Sequence, residues 1–394
     1  MIQRSRMLCG VLLALLAAAF AVLKPSPGTA VEQKNARPQV EVVFVLDTTG
    51  SMVGLIDAAK QKIWAISKQI VSGEPTPALK IGLVAYRDRG DDYVTKVFDL
   101  TDDLDAVYAN LMSFKAEGGG DEPESVNQAL NEAVTKISWS KATGILKLIF
   151  LVGDAPPHMD YADDVKYPDS CKLAVANDII VNTVQCGDHA ETKNYWRDIA
   201  KLGEGRYVQI DAKGGSVAVI ETPFDKALAE INGEMIKTTL IYGDPKKMEV
   251  AGAGAVGGGF SGMGGFGSPG FPGVAADRAA YYGITGTAPS FDLLQNIKDG
   301  KVKLEDIKKD ELPAEMRKMT LAERKTYLEK IDKQRLELNA KAKELDKKRS
   351  AYVAQKQKEQ AKDAKMESFD GQVLQLLQQQ ATRIQVDYGV PKKK

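Results

Sequence analysis

The sequence predicts an α/β fold built on a doubly wound, mostly parallel sheet, continued by a glycine-rich linker and an α-helical C-terminal region. Three observations predict it. From Gln39 to about Tyr242, apolar runs of strand length alternate with amphipathic runs of helix length, as in a sheet covered by helices on both sides. Several strand runs are β-branched and apolar at consecutive positions, which suits strands buried on both faces. Beyond residue 250 the composition changes twice, first to glycine and then to Lys, Glu, Gln, Leu and Ala.

The chain opens with Arg4 and Arg6, an apolar run from Leu8 to Leu23, then Pro25, Pro27 and the small residues Gly28-Thr29-Ala30. This order reads as an export signal over residues 1–30, cleaved after Ala30. A retained membrane anchor is the alternative, although a spanning helix needs about 20 apolar residues. Cys9 lies too early for lipoprotein acylation. Cleavage would leave Cys171 and Cys186, an even pair in an oxidising compartment, expected at one end of the sheet. A disulfide between them and two free thiols are both open readings.

The strand candidates are 40–47, 79–88, 93–100, 146–154, 178–187 and 205–210. Between them, Val53, Ile56, Ile63, Ile66 and Ile70 recur at helical spacing, as do Leu104, Val107, Leu111 and Phe114. Only the polar loop RGDD separates the second strand from the third, too short for a crossover, so one of the two is expected to be an antiparallel edge strand. Together these elements delimit a domain over 39–242. Residues 251–273 are dominated by glycine. Pro269 and Pro272 follow where a phosphate-binding loop needs a helix, so this segment reads as a linker. The helical region spans 290–390. There Leu328, Ile331, Leu338, Ala342, Leu345 and Tyr352 fall on a three-four spacing, interrupted by Arg335 and Arg349. Such a seam fits either a coiled-coil dimer or an antiparallel hairpin within one chain.

Charge is unevenly distributed. Residues 31–250 carry 24 Lys and Arg against 34 Asp and Glu, and residues 298–394 carry 25 against 17, giving −10 and +8. The acidic part fits cation binding. The basic part is interleaved with acids like a solvated helix face, so no nucleic-acid partner is expected.

The sharpest motif is DTTGSM at 47–52, where an apolar strand passes into an amphipathic helix. Asp47, Thr49 and Ser51 offer one carboxylate and two hydroxyls on a tight turn, an all-oxygen donor set of the kind Mg²⁺ takes. The bland reading is that one of the three caps the helix. Asp154, in LVGDAPPH, ends the fourth strand. In strand order and spacing, residues 40–240 resemble a von Willebrand factor A domain, which has a Rossmann-like fold. The Asp-x-Thr-x-Ser turn matches that family's metal-ion-dependent adhesion site. The resemblance implies that Asp47, Thr49, Ser51 and Asp154 hold Mg²⁺, with Mn²⁺ or Ca²⁺ as alternatives. The family usually adds a threonine from the loop before the third helix. Here that loop reads GGGDEPESVNQAL, with Glu124 in the slot by spacing and Asp121 also within reach. Similar DTTGSM, AYRD and GGGDxPE segments occur in α-kinases that bear A-type domains, but no kinase pattern follows here.

Arg87 and Asp88 of AYRD are expected to close the second strand as an ion pair. His158 is expected to pack its loop, His189 has no visible partner, and Trp196 is expected in the core. No nucleophile–base pair, zinc spacing or phosphate loop is present, so the chain reads as non-enzymatic. The expectation is therefore an exported, metal-dependent protein-binding module in the periplasm, the envelope or outside the cell. Its ligand is a protein; the family's usual mode implies contact through an acidic side chain, for which the extra carboxylate of Glu124 or Asp121 would make the ion a poorer acceptor. A structural envelope protein assembling through its C-terminal helices is the alternative. Contact with a membrane would come only through an uncleaved N-terminal segment.

Overall fold

The strand runs pair into a six-stranded sheet of order β3-β2-β1-β4-β5-β6. In this computed structural model the described residues are 37–120, 122–212, 220–243, 272–360 and 369–389. The expected export segment, Asp121 and nearly all of the glycine-rich linker lie outside them. The strands are β1 (Gln39–Asp47), β2 (Ala78–Tyr86), β3 (Thr95–Thr101), β4 (Ile145–Gly153), β5 (Ile179–Cys186) and β6 (Glu204–Ile210). All neighbours are parallel except β2 and β3, so the RGDD loop does turn an antiparallel edge strand. Inner strands β1, β4 and β5 are almost wholly buried, whereas β3 is half-buried along its length, as an edge should be.

Alternate side chains of β1 feed two cores. Val40, Val42, Phe44 and Leu46 face α1 (Val53–Val71) and α2 (Leu104–Ser113). Val43 and Val45 face α3 (Val126–Thr135), α4 (Tyr167–Ala176) and α5 (Ala190–Leu202), where Trp196 is fully buried. Cys171 on α4 belongs to the second core and Cys186 on β5 to the first. The sheet stands between them. Both thiols are free, so the bridge left open by their expected place at one end of the sheet is not formed. Burial pushes the Cys171 thiol up to about 12 and that of Cys186 well above its ordinary range. Alkylation of Cys171 and Cys186 in the native protein should therefore be slow, and denaturation should make both reactive, as read by mass spectrometry; a mass two hydrogens short would contradict this.

The C-terminal helices pack into the same compact unit as the sheet. After α6 (Asp225–Lys237), the chain forms α7 (Pro272–Thr285), α8 (Leu293–Lys298), the 40-residue α9 (Leu321–Gln360) and α10 (Phe369–Gln380). From Arg37 onward these helices and the sheet make one unit. α7 packs on α1 and α6, α9 lies along α6 and α7, and α10 packs beside α1. The seam on α9 is used within the chain. Leu328 and Ile331 join a small core with Leu240, Leu293 and Leu312, while Leu338 and Ala342 join the main one.

The arginines that interrupt the seam explain themselves. Arg335 makes a bidentate pair with Asp292 at 2.7 and 2.6 Å, and Arg349 reaches Asp225 at 2.6 Å and Asp277 at 2.5 Å. Lys68 of α1 completes the network with Asp346 at 3.0 Å. Among the described residues, no helix is long and apolar enough to cross a membrane.

Candidate metal centre

β1 has β2 on one side and β4 on the other, so its carboxyl end lies where the strand order reverses, the usual ligand crevice of an open α/β sheet. Asp47, the last residue of β1, is fully buried. Its Oδ1 accepts from the Thr49 backbone N–H at 2.9 Å and from the Thr49 hydroxyl at 2.6 Å. The Thr49 hydroxyl lies 3.3 Å from that of Ser51. Neither hydroxyl caps the helix: no side-chain cap bond is made at the start of the short 3₁₀ turn or of α1. With its proton given to Asp47, the Thr49 oxygen keeps its lone pairs for an electropositive neighbour.

The triple-glycine loop is held over this turn from both sides. Gly50 N–H donates to Gly118 O at 3.1 Å and Glu117 N–H to Thr48 O at 3.1 Å. Gly118 and Gly119 have φ of +82° and +87°, a conformation that favours glycine. Further along, Glu124 N–H donates to Pro156 O at 2.9 Å and His158 N–H to Glu124 O at 3.1 Å. That zipper brings Glu124 beside Asp154, just past β4. Beneath them, a Cβ on Gly153 would meet the Tyr86 hydroxyl at 2.3 Å and Asp47 Oδ2 at 3.2 Å, so only glycine fits there.

Thr49, Ser51, Glu124 and Asp154 line one open cleft of about 400 Å³, with Asp47 directly behind Thr49. Two carboxylate oxygens, Glu124 Oε2 in its wall and Asp47 Oδ2 behind Thr49, are buried without a hydrogen-bond partner. Burial and the neighbouring Asp154 raise the Asp47 carboxyl to about 7. Burial, then the charges of Asp47, Asp88 and other acids, raise Glu124 to about 9. Asp154 is raised as well, chiefly by burial. Crowded acids with orphaned oxygens beside free hydroxyl lone pairs fit a hard cation. Among the described residues, no three His, Cys, Asp or Glu side chains are placed to chelate an ion by themselves. Asp121, one of the two candidates for a third carboxylate, lies outside the described residues, and within them the hydroxyls would have to complete the donors.

The structure separates Arg87 from Asp88, correcting the expected pair. Both are buried. Arg87 donates to the carbonyls of Thr48 at 3.2 Å and Lys115 at 2.8 Å, bracing the loops around the cleft. Asp88 accepts from the Ser125 hydroxyl at 2.8 Å and the Tyr161 hydroxyl at 2.8 Å. His158 packs its loop as expected, stacked on Tyr161 at 3.9 Å with Arg89 over that ring at 4.0 Å. His189, which showed no partner in sequence, lies 3.2 Å from Glu122 and 2.8 Å from the Thr192 hydroxyl. Glu122, Asp188 and His189 line the cleft and were not singled out by motif. Their placement comes from two loops far apart in the chain, so only the glycine-rich context of Glu122 hinted at it.

An open, mostly parallel sheet with an oxygen-lined cleft at the carboxyl ends of β1 and β4 defines a ligand-binding α/β module. Residues 41–222 match the family model of the von Willebrand factor A domain, and this part of the chain is such a domain. A rat von Willebrand factor A domain-containing protein 7 is 38% identical over 120 residues, covering 30% of this chain and 12% of that protein. A putative ariadne-like RING finger protein of Acanthamoeba polyphaga mimivirus is 21% identical over 190 residues, covering 44% and 18%. The chain therefore spans under a fifth of the length of either relative. Among solved structures, the conserved hypothetical protein BatB of Bacteroides thetaiotaomicron is similar, with a TM-score of 0.35 and 19% identity, over 44% of this chain and 90% of that one.

Proposed function

We propose that this chain is a non-enzymatic, exported protein-binding module whose cleft is organised by a divalent cation, Mg²⁺ or else Mn²⁺ or Ca²⁺. Thr49, Ser51 and Asp154 would hold the ion, with Asp47 fixing the Thr49 hydroxyl and Glu124 adding charge from the wall. The observation that carries this reading is the pair of orphaned, buried carboxylate oxygens beneath an open, hydroxyl-lined cleft. A bound cation supplies the positive charge that these acids lack and ties the glycine loop to the 47–51 turn, giving a partner a rigid surface. Export rests on the N-terminal sequence pattern. The alternative of assembly through a C-terminal coiled coil loses its main support, because the α9 seam is spent within the chain.

Calorimetric titration with Mg²⁺ and Mn²⁺ tests the site. The unaltered chain should bind one ion and Asp47→Ala should bind none, with its far-ultraviolet circular dichroism retained. Equal affinity in the two proteins would reject the site.

A pH dependence follows from the raised carboxyls. Near neutrality Glu124, and in part Asp47, hold protons that the cation must displace. Apparent affinity should therefore rise with pH, up to about tenfold per unit for each proton released. Without cation the sign for stability is the reverse. Both groups titrate higher folded than unfolded, so the folded state binds more protons and its stability falls as pH rises from the ordinary carboxylate range toward about 7 and then 9. The rise in melting temperature caused by Mg²⁺ should thus be larger at pH about 8 than at about 6. A shift independent of pH would contradict the assignment.

A further inference from the structure

We infer that the partner group received at this cleft is basic: a protein segment whose lysine or arginine side chains lie across the acidic mouth beside the cation. The inference rests on the cation-dependent reading above and adds the chemistry of the partner. Among the described residues the cleft is lined by the acids Glu122, Glu124, Asp154 and Asp188, with Cys186 and His189 beside them and no lysine or arginine. Nearby arginines do not supply the missing charge. Arg87 is buried and bonded to two carbonyls, and Arg89 is held by Asp163 at 2.9 Å and Asp164 at 2.8 Å.

Acids at a loop tip could simply be solvated. Glu124 argues otherwise, because it is only 4% exposed, forms part of the cleft wall and leaves Oε2 without a partner. Adding Asp47 behind the wall makes five carboxylates, and one divalent ion leaves three negative charges. An incoming carboxylate would meet that excess, whereas a lysine or arginine side chain would complement it. Glu122, its side chain 68% exposed, and the exposed Asp188 are the wall acids most accessible to such a chain.

The test uses the full chain and two fluorescein-labelled peptides, one alternating Lys and Gly, the other Glu and Gly, followed by fluorescence anisotropy with and without Mg²⁺. The basic peptide should bind at least about tenfold more tightly than the acidic one. The double variant Glu122→Gln, Asp188→Asn should lower that affinity about tenfold in about 50 mM salt, and less in about 300 mM. Preference for the acidic peptide would overturn the inference, as would basic-peptide binding that ignores the double variant. Absence of calorimetric Mg²⁺ binding in the unaltered chain would defeat the cation reading alone. In that case the Mg²⁺-free anisotropy still decides whether the acidic wall selects a basic ligand.

Discussion

A chain ending at residue 360 is expected to lose its cooperative thermal transition. α10 buries Phe369, Val373, Leu374, Leu376 and Leu377, with Phe369 lying 6.3 Å from Phe44 of β1. At about 1.5–3 kcal/mol for each buried side chain, their removal costs roughly 10 kcal/mol. That is comparable with the whole stability of an ordinary domain, about 5–15 kcal/mol. Polar groups would be stranded as well. Asn182 on β5 exchanges two hydrogen bonds with Gln380, at 3.0 and 2.8 Å, and the Tyr388 hydroxyl donates to Ile70 O at 2.9 Å. Asp387 and Glu74 exchange backbone hydrogen bonds at 2.8 and 2.9 Å, tying the tail to the loop after α1. Differential scanning calorimetry of the shortened chain should show no sharp endotherm. A transition within a few degrees of the full chain, roughly 1 kcal/mol or less, would mean that the helix only covers a face that is stable without it.

Arg278→Ala is expected to destabilise the protein by about 3–5 kcal/mol in urea unfolding. Arg278 on α7 is 4% exposed and clamps Asp105 of α2, itself 6% exposed, through two bonds of 2.8 Å. A third bond, of 2.7 Å, reaches Asn232 of α6. Truncating the arginine would leave Asp105 buried with the Tyr282 hydroxyl at 2.8 Å but without a compensating cation. The loss should come from that uncompensated charge more than from the pair's own attraction. Combining Arg278→Met with Asp105→Leu should therefore recover most of the stability. A double variant as unstable as the single one would assign the effect to packing or to Asn232 and Tyr282.

Legibility in the sequence followed the range of the interaction. The inner strands β1, β2, β4 and β5 stood out as apolar runs because a strand buried on both faces cannot hide its composition, and the short polar loop before the half-buried β3 forced its direction. Asp47, Thr49 and Ser51 were legible as a unit because their geometry is set within five residues. Asp154 followed from its place at the end of β4. Glu122, Asp188 and His189 were not legible as cleft walls, since the zipper between the 118–125 and 154–158 loops and the turn after β5 brings them together. α7 went unread because its alanines and tyrosines follow a glycine-rich segment and carry no strong apolar stripe.

The sequence by itself determined the α/β class, the antiparallel edge, the helical C-terminal region and an oxygen-rich turn at the strand-order reversal. These depend on local periodicity, which reports whether a face is buried. Tertiary structure alone decided what each face is buried against. The α9 seam suited a dimer or a hairpin, yet Arg335 found Asp292, 43 residues away, and Arg349 found Asp225, 124 residues away. Cys171 and Cys186 were expected at one end of the sheet, yet fell on opposite sides of it. A repeat of apolar positions carries no information about its partner. Partner choice is a sum over long-range contacts and desolvated charges that exists only once the chain has closed on itself.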